Sequence, residues 1–329
     1  MLKFKSLFII LLPFMVSILN GEVYRKEYHE SFDVQDGMQL RLNHGDGDVT
    51  INPWDQDVVK IDIIYHADHS GISGVRNDLF AVDFEKTGEV LHVVSQEKNT
   101  GNLGISSRKI IQYTYQIQAP EYLVLDLKGD DGNITVKHWR NNIECSLNDG
   151  NIYLTDIMSD EVYLRAEDGD IDIKKLSGKL YVWEEDGDLK IEELKSDQCS
   201  IEIEDGTCTI DEGYGNFTIR YNDGDVRMYG IKTQKTDIRG DDGDIEFELL
   251  KSENVDIYLQ SKDGSTRLRM DPAISAELSI ETNHGRINTR LSNETKAKEG
   301  KNWYKANLQD AQGKIIIRTH DGSVKVSDL

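Results

Sequence analysis

Cysteine is almost missing from this chain: three residues in 329, at spacings that fit neither a zinc ligand set nor a disulfide framework. Basic charge is also short, with 38 Lys and Arg against 60 Asp and Glu and a formal net charge of -22. Binding to nucleic acid or to an anionic membrane depends on Lys and Arg neutralising phosphates. That deficit excludes both partners and leaves cations, neutral glycans and proteins. Catalytic signatures are missing as well. There is no Gly-x-Ser-x-Gly elbow, no His-Glu-x-x-His helix and no Gly-rich phosphate loop, and helical periodicity of any kind is nearly absent. Apolar residues make up 38%, enough for a continuous core but lean for a compact globule of one or two domains.

Long apolar runs are confined to the N-terminus, "MLKFKSLFIILLPFMVSILNGEVY". Lys3 and Lys5 form a basic start, Leu7 to Leu19 an apolar centre broken by Pro13, and Ser17 or Gly21 a small residue before a cleavage point. The centre is shorter than the roughly 20 residues that cross a bilayer. Residues 1–21 therefore read as a secretory signal peptide, and no Cys follows for lipid attachment. No other segment is apolar enough to span, so the expectation is a secreted, periplasmic or cell-surface protein.

What the chain has in abundance is one phrase. Glycine recurs in the same context at Gly47, Gly132, Gly150, Gly169, Gly187, Gly206, Gly224, Gly243, Gly264, Gly285 and Gly322, and ten of these eleven follow Asp, the exception being His284. From Gly132 to Gly285 the spacings are 18, 19, 18, 19, 18, 19, 21 and 21. Counting from each Gly as zero, position -5 is apolar in all eleven, and -7, +2 and +4 in ten. A period of two on each side of a glycine is that of strands whose alternate side chains enter a core. Each unit is thus two short strands joined by an Asp-Gly corner, and a second corner absorbs all the length variation. Fixed register over many units predicts an all-β, single-chain β-solenoid, parallel β-helix or β-roll-like, of about 18–19 residues per coil. Cys145, Cys199 and Cys208 fall on core positions and read as small buried apolar residues; a Cys199–Cys208 bridge across the corner is the alternative.

Residues 22–119 read differently, as alternating strands forming an N-terminal antiparallel section that includes the first Asp-Gly unit and caps the solenoid edge. The solenoid proper spans 120–329. Near 293–314 one coil is replaced by an excursion, after which "HDGSVKVSDL" resumes the register.

The sequence "LRLNHGDGDVTINPWDQDVVKID", then strands, then "YQIQAPEYLVLDLKGDDGNITV" and the run of Asp-Gly coils, resembles the bacterial adhesin-like β-solenoid family of unassigned biochemical function. The resemblance covers essentially the whole mature chain. It implies an exported envelope or surface protein without established catalysis.

Three sets of residues are candidates for contact chemistry. The corner carboxylates Asp168, Asp170, Asp186, Asp188, Asp223, Asp225, Asp242 and Asp244 line one edge and could bind Ca2+, the one cofactor with any support; the alternative is a structural corner in which each Asp bonds its local backbone as an Asx turn. On outward positions -6 and -4, Tyr163 and Tyr181 fall side by side, as do Arg165 and Trp183. They form either a ligand platform for a sugar or protein or a stabilising aromatic ladder. His66, Asp68 and His69 in "YHADHSG" form a third set, a metal-ligating group or a solvated polar loop. Three Asn-x-Ser/Thr triplets, at Asn133, Asn216 and Asn293, matter only in a eukaryotic secretory pathway. The reading is an exported, non-catalytic binding or scaffold protein with a protein or glycan partner. The alternatives are a carbohydrate-active β-helical enzyme and an element that assembles end to end.

Overall fold

The structure, a computed structural model, describes residues 22–69, 80–97 and 109–329. The signal peptide expected at 1–21 lies outside the described residues. Every regular element described is a strand. In chain order these are β1 (Glu22–Asp33), β2 (Gln39–Asp46), β3 (Asp48–Pro53), β4 (Val58–His69), β5 (Phe80–Thr87), β6 (Val90–Glu97), β7 (Lys109–Ala119), β8 (Val124–Asp131), β9 (Ile134–Lys137) and β10 (Ile143–Asp149). Four long bent strands follow: β11 (Ile152–Asp168), β12 (Ile171–Asp186), β13 (Leu189–Asp205) and β14 (Cys208–Asp223). Then come β15 (Val226–Ile231), β16 (Lys235–Asp242), β17 (Ile245–Leu249), β18 (Asp256–Asp263), β19 (Thr266–Met270), β20 (Ala276–Thr282) and β21 (Ile287–Arg290). The last four are β22 (Glu294–Glu299), β23 (Trp303–Leu308), β24 (Gly313–Thr319) and β25 (Val324–Asp328).

The fold is a β-solenoid with two faces. Strands preceding an Asp-Gly corner stack in parallel on face one, and strands following it stack in parallel on face two. The bent strands β11–β14 pass from face two to face one around the second corner, where the register shifts. Register keeps repeat position over repeat position: Leu164 pairs with Val182, and Val182 with Ile201. All eleven -5 residues are buried, as are Cys145, Cys199 and Cys208. The three cysteines are free thiols, so no Cys199–Cys208 bridge forms; each occupies a core row of its own strand. Burial pushes the Cys145 and Cys208 thiols up to about 12 and Cys199 higher still.

The second corner, featureless in sequence, has a backbone rule. The residue at +6 is left-handed in rung after rung: His138 (φ 53°), Asp156 (54°), Lys175 (62°), Glu193 (58°), Glu212 (60°) and then Gly230 (65°). The Asp156 carboxylate ties this row together, accepting from Arg140, His138 and Lys175 at 2.8–3.0 Å; those partners, Arg140 foremost, hold its acidity well below the usual carboxylate range.

The ends depart from the sequence reading. Between 58 and 119 the section is mixed rather than antiparallel. Strand β4 pairs antiparallel with β1 and β7, and β5 with β6, yet β6 lies parallel to β2 and β7 parallel to β3. Together β6 and β7 make a rung beyond the first Asp-Gly rung. It lacks the glycine marker because residues 98–108 separate its strands in the chain. At the other end the last rung does not follow its predecessor. Strand β24 inserts between β18 and β20, and β25 between β19 and β21, all parallel. The excursion is the hairpin β22–β23, whose β23 pairs antiparallel with the outer side of β20. Its outer strand is fully exposed and carries Lys296 and Lys298, charges that discourage pairing along an open edge.

Candidate functional site

The corner glycines are required by stacking. A Cβ on Gly206, at φ 138°, would lie 2.0 Å from the carbonyl oxygen of Gly187. Gly187 itself has no left-handed φ, yet its Cβ would meet the Gly169 oxygen at 2.1 Å. The carbonyl of one rung fills the space where a side chain of the next would begin.

The Asp at +1 also serves the stack. Asp170 Oδ1 accepts the Asp188 backbone N–H at 3.0 Å, Asp188 Oδ1 that of Thr207 at 2.8 Å, Asp225 Oδ1 that of Asp244 at 2.9 Å, and Asp244 Oδ1 that of Ser265 at 2.7 Å. Asn151 and Asn133 do the same one and two rungs before Asp170. The bond thus runs to the next rung, not to the local turn as an Asx motif would have it, because a parallel register sets each +1 amide over the +1 side chain before it. The -1 carboxylates of Asp168, Asp186, Asp223 and Asp242 are exposed. Crowding along this row is felt at Asp149, whose acidity is weakened by burial and by Asp168 and Asp131 on either side.

Beneath the corner runs a buried row at -3, and at Glu184 it holds a carboxylic acid. Glu184 is fully buried between Ala166 and Ile203, and neither of its oxygens has a hydrogen-bond partner. Burial, then the charges of Asp170, Asp186, Asp168 and Asp188, pushes it up to about 8, so the group is neutral at pH 7. The same row holds His44, buried against Tyr115 with ring centroids 5.3 Å apart and pushed down to about 4 by burial.

Face one carries the aromatic rows. Tyr163 and Tyr181 stack with centroids 4.5 Å apart and planes within 6°, while the Arg165 guanidinium sits 3.9 Å from the centre of the Trp183 ring. Because rungs repeat along the axis, the rings face one another and turn their edges to solvent. Tyr163 has Glu144 at the same level on its other side, and Trp183 has Glu202. A sugar would therefore meet ring edges and hydroxyls, not an open flat shelf. The -4 row continues with Arg220 and Arg239, and Arg239 and Arg318 lie 4.6 and 5.8 Å from the Tyr258 ring centre. Asp237 grips both Arg220 and Arg239. Glu202 lies between Trp183 and Arg220 in this row, and Arg165 and Arg318 are paired with Glu167 and Glu281, so the guanidinium and aromatic groups of the face are interleaved with carboxylates.

Beside the Tyr163 end lies a hollow of about 640 Å3 at the second corner, lined by Asn142, Glu161, Lys179, Ser196 and Tyr214 among others. Lys179 donates to Glu161 at 2.8 Å, and Tyr163 Oη donates to the other Glu161 oxygen at 3.3 Å, so the hollow and the aromatic row share a residue. Tyr214 is 54% exposed and lines two further hollows of about 380 Å3, making it the common wall of a groove along this corner.

The model of the Toastrack DUF4097 family matches residues 38–327. The chain belongs to this family. Solved structures that match the chain include a candidate lipid-binding protein from Parabacteroides distasonis (11% identity, TM-score 0.40, covering 93% of this chain and 97% of that one). Others are candidate adhesins from Parabacteroides merdae (11%, 0.40, 92% and 96%) and Bacteroides fragilis (12%, 0.36, 92% and 97%). No curated protein matches the chain.

Within this Toastrack solenoid the sequence-derived candidates fall unevenly. Tyr163, Arg165, Tyr181 and Trp183 come together on face one. The corner Asp residues form rows along one edge, but no three of their oxygens lie within 4.8 Å of one another among the described residues. His66, Asp68 and His69 lie not in a loop but within β4, paired on both sides with β1 and β7; strand pairing captured a polar segment that carries no alternating core signal. Arg220, Arg239, Tyr258 and Arg318 were missed because they are spread over four rungs. Tyr214 had a local signal, an aromatic flanked by two glycines in "EGYGN".

Proposed function

We propose that this protein is an exported, non-catalytic binding protein of the bacterial envelope that engages a protein or glycan through face one. The observation that carries the reading is the outward band of Arg165, Trp183, Arg239, Tyr258 and Arg318, in which three guanidinium groups are held over aromatic rings, with Arg220 held beside them by Asp237. Groups already fixed by such contacts lose little freedom on binding, and Arg and aromatic side chains dominate the energetics of contact surfaces. The solenoid supplies rigidity: each rung is hydrogen-bonded along both faces, so the band keeps its spacing without a partner. Guanidinium groups select for carboxylates or polar sugar hydroxyls presented in a row.

The test is a glycan array together with capture from an envelope fraction, using wild type, Tyr181→Ala/Trp183→Ala and Arg239→Ala/Tyr258→Ala. Loss of a wild-type signal in either double variant supports the reading. An identical profile in all three proteins removes face one as the binding surface.

A further inference from the structure

The one break in the Asp-Gly rule is His284, at the position where the other ten repeats carry Asp. Because the last rung is inserted out of order, the neighbour of His284 is the corner that contains His320 and Asp321. We propose that His284, His320 and Asp321 form a binding site for a borderline divalent transition-metal ion such as Zn2+ or Ni2+. Each residue offers one ligand atom, and the three atoms lie within 4.8 Å of one another, the one such cluster among the described residues. His284 Nδ1 lies 2.5 Å from Asp321 Oδ1 and His320 Nδ1 3.3 Å from the same oxygen, with the two imidazoles edge to face at 5.4 Å.

The backbone beneath is fixed. The Asn283 and His284 N–H groups both donate to the His320 carbonyl, and the His320 and Asp321 N–H groups to that of Lys262, all at 2.9–3.2 Å. Thr282 and Thr319 hydroxyls accept the N–H groups of Gly285 and Gly322. Three rungs are thereby locked at this corner, while the ligating side chains stay exposed, His284 at 71%. Small rotations of exposed imidazoles bring their nitrogens to the ~2.1 Å of a metal bond. Two imidazole nitrogens and one carboxylate oxygen suit Zn2+, Ni2+ or Cu2+, whereas Ca2+ and Mg2+ favour all-oxygen shells. Water completes the coordination. A bound ion joins the corner of β20 to that of β24, two segments linked otherwise only through the excursion and strand pairing, and so stabilises the interleaved end.

The experiment is isothermal titration of tag-free protein at pH 7.5 with NiCl2, ZnCl2 and CaCl2, paired with thermal unfolding. The variants are His284→Asp, His320→Asn and the double. Each installs a residue that other rungs carry at that position, Asp186 or Asn148 for example, so the fold is retained. The expected result is a single-site isotherm and a raised Tm with Ni2+ or Zn2+, none with Ca2+, and loss of both effects in the double variant. Absence of saturable binding in wild type, or a double variant that binds as tightly, overturns the proposal.

Discussion

Gly285 rests on Gly322: a Cβ on Gly285 would meet the Gly322 carbonyl oxygen at 1.7 Å, and a Cβ on Gly322 would meet that of Gly264 at the same distance. Strands β24 and β25 therefore lie inside the stack, paired on both sides, with β20 and β21 beyond them and the β22–β23 hairpin outside β20. Hydrogen exchange followed by mass spectrometry should find the amides of Ile315 and Ile317 as protected as those of Ile201 and Ile219. Exchange of β24 within seconds, as for a frayed terminus, would contradict the interleaved order.

Stacking makes a second demand. Gly187→Ala should destabilise by about 2 kcal/mol or more, since its new methyl overlaps a backbone oxygen that cannot move without breaking the ladder. Gly45→Ala, with nothing within 4 Å of its Cβ and no left-handed φ, should stay within about 0.5 kcal/mol. Urea unfolding of the pair reads the difference directly.

The two corner carboxylates should separate in the same assay. Asp188→Ala removes the acceptor of the Thr207 N–H and should cost about 1–2 kcal/mol, whereas Asp188→Asn keeps an acceptor, as Asn151 does, and should cost little. Asp186→Ala removes an exposed charge from a crowded row and should change stability by about 0.5 kcal/mol or less. Thermal unfolding with calcium and with chelator should coincide, the +1 oxygens being committed to backbone; a calcium-dependent rise in Tm would restore the Asp rows as a cation site.

Glu184 sets a pH dependence whose sign follows from its position. Its acidity in the folded state is raised from 4.5 to about 8. Between those values the unfolded chain has released a proton that the folded chain retains, so stability falls as pH rises across the window and levels off above about 8. Glu184→Leu, the residue Leu147 supplies two rungs earlier in the row, should be more stable than wild type by ~3 kcal/mol at pH 9, with the gain shrinking toward pH 5. Equal gains at both pH values would mean that the carboxyl is not buried in its neutral form.

At the second corner, Glu212→Gly should stabilise by ~0.5 kcal/mol. It relieves the left-handed backbone at φ 60° for a smaller loss of chain entropy, and Gly230 already fills the equivalent place in the next rung. A loss of stability would show that the Glu212 side chain contributes more than its backbone costs.

The amino-acid sequence by itself determined the rung. A period of two around each Asp-Gly corner fixes which side chains enter the core, and the fixed spacing places Tyr163 beside Tyr181 and Arg165 beside Trp183, because in-register stacking is a local rule applied repeatedly. Only the tertiary structure decided which rung lies next to which at the two ends. Every rung offers the same parallel edge of N–H and C=O groups, so nothing within a rung names its neighbour; the long connections around β4–β7 and β22–β23 and the fit of the inserted strands make that choice. That order brings His284 to His320 and Asp321, sets Arg318 against Tyr258, and puts the last strand of the chain inside the stack.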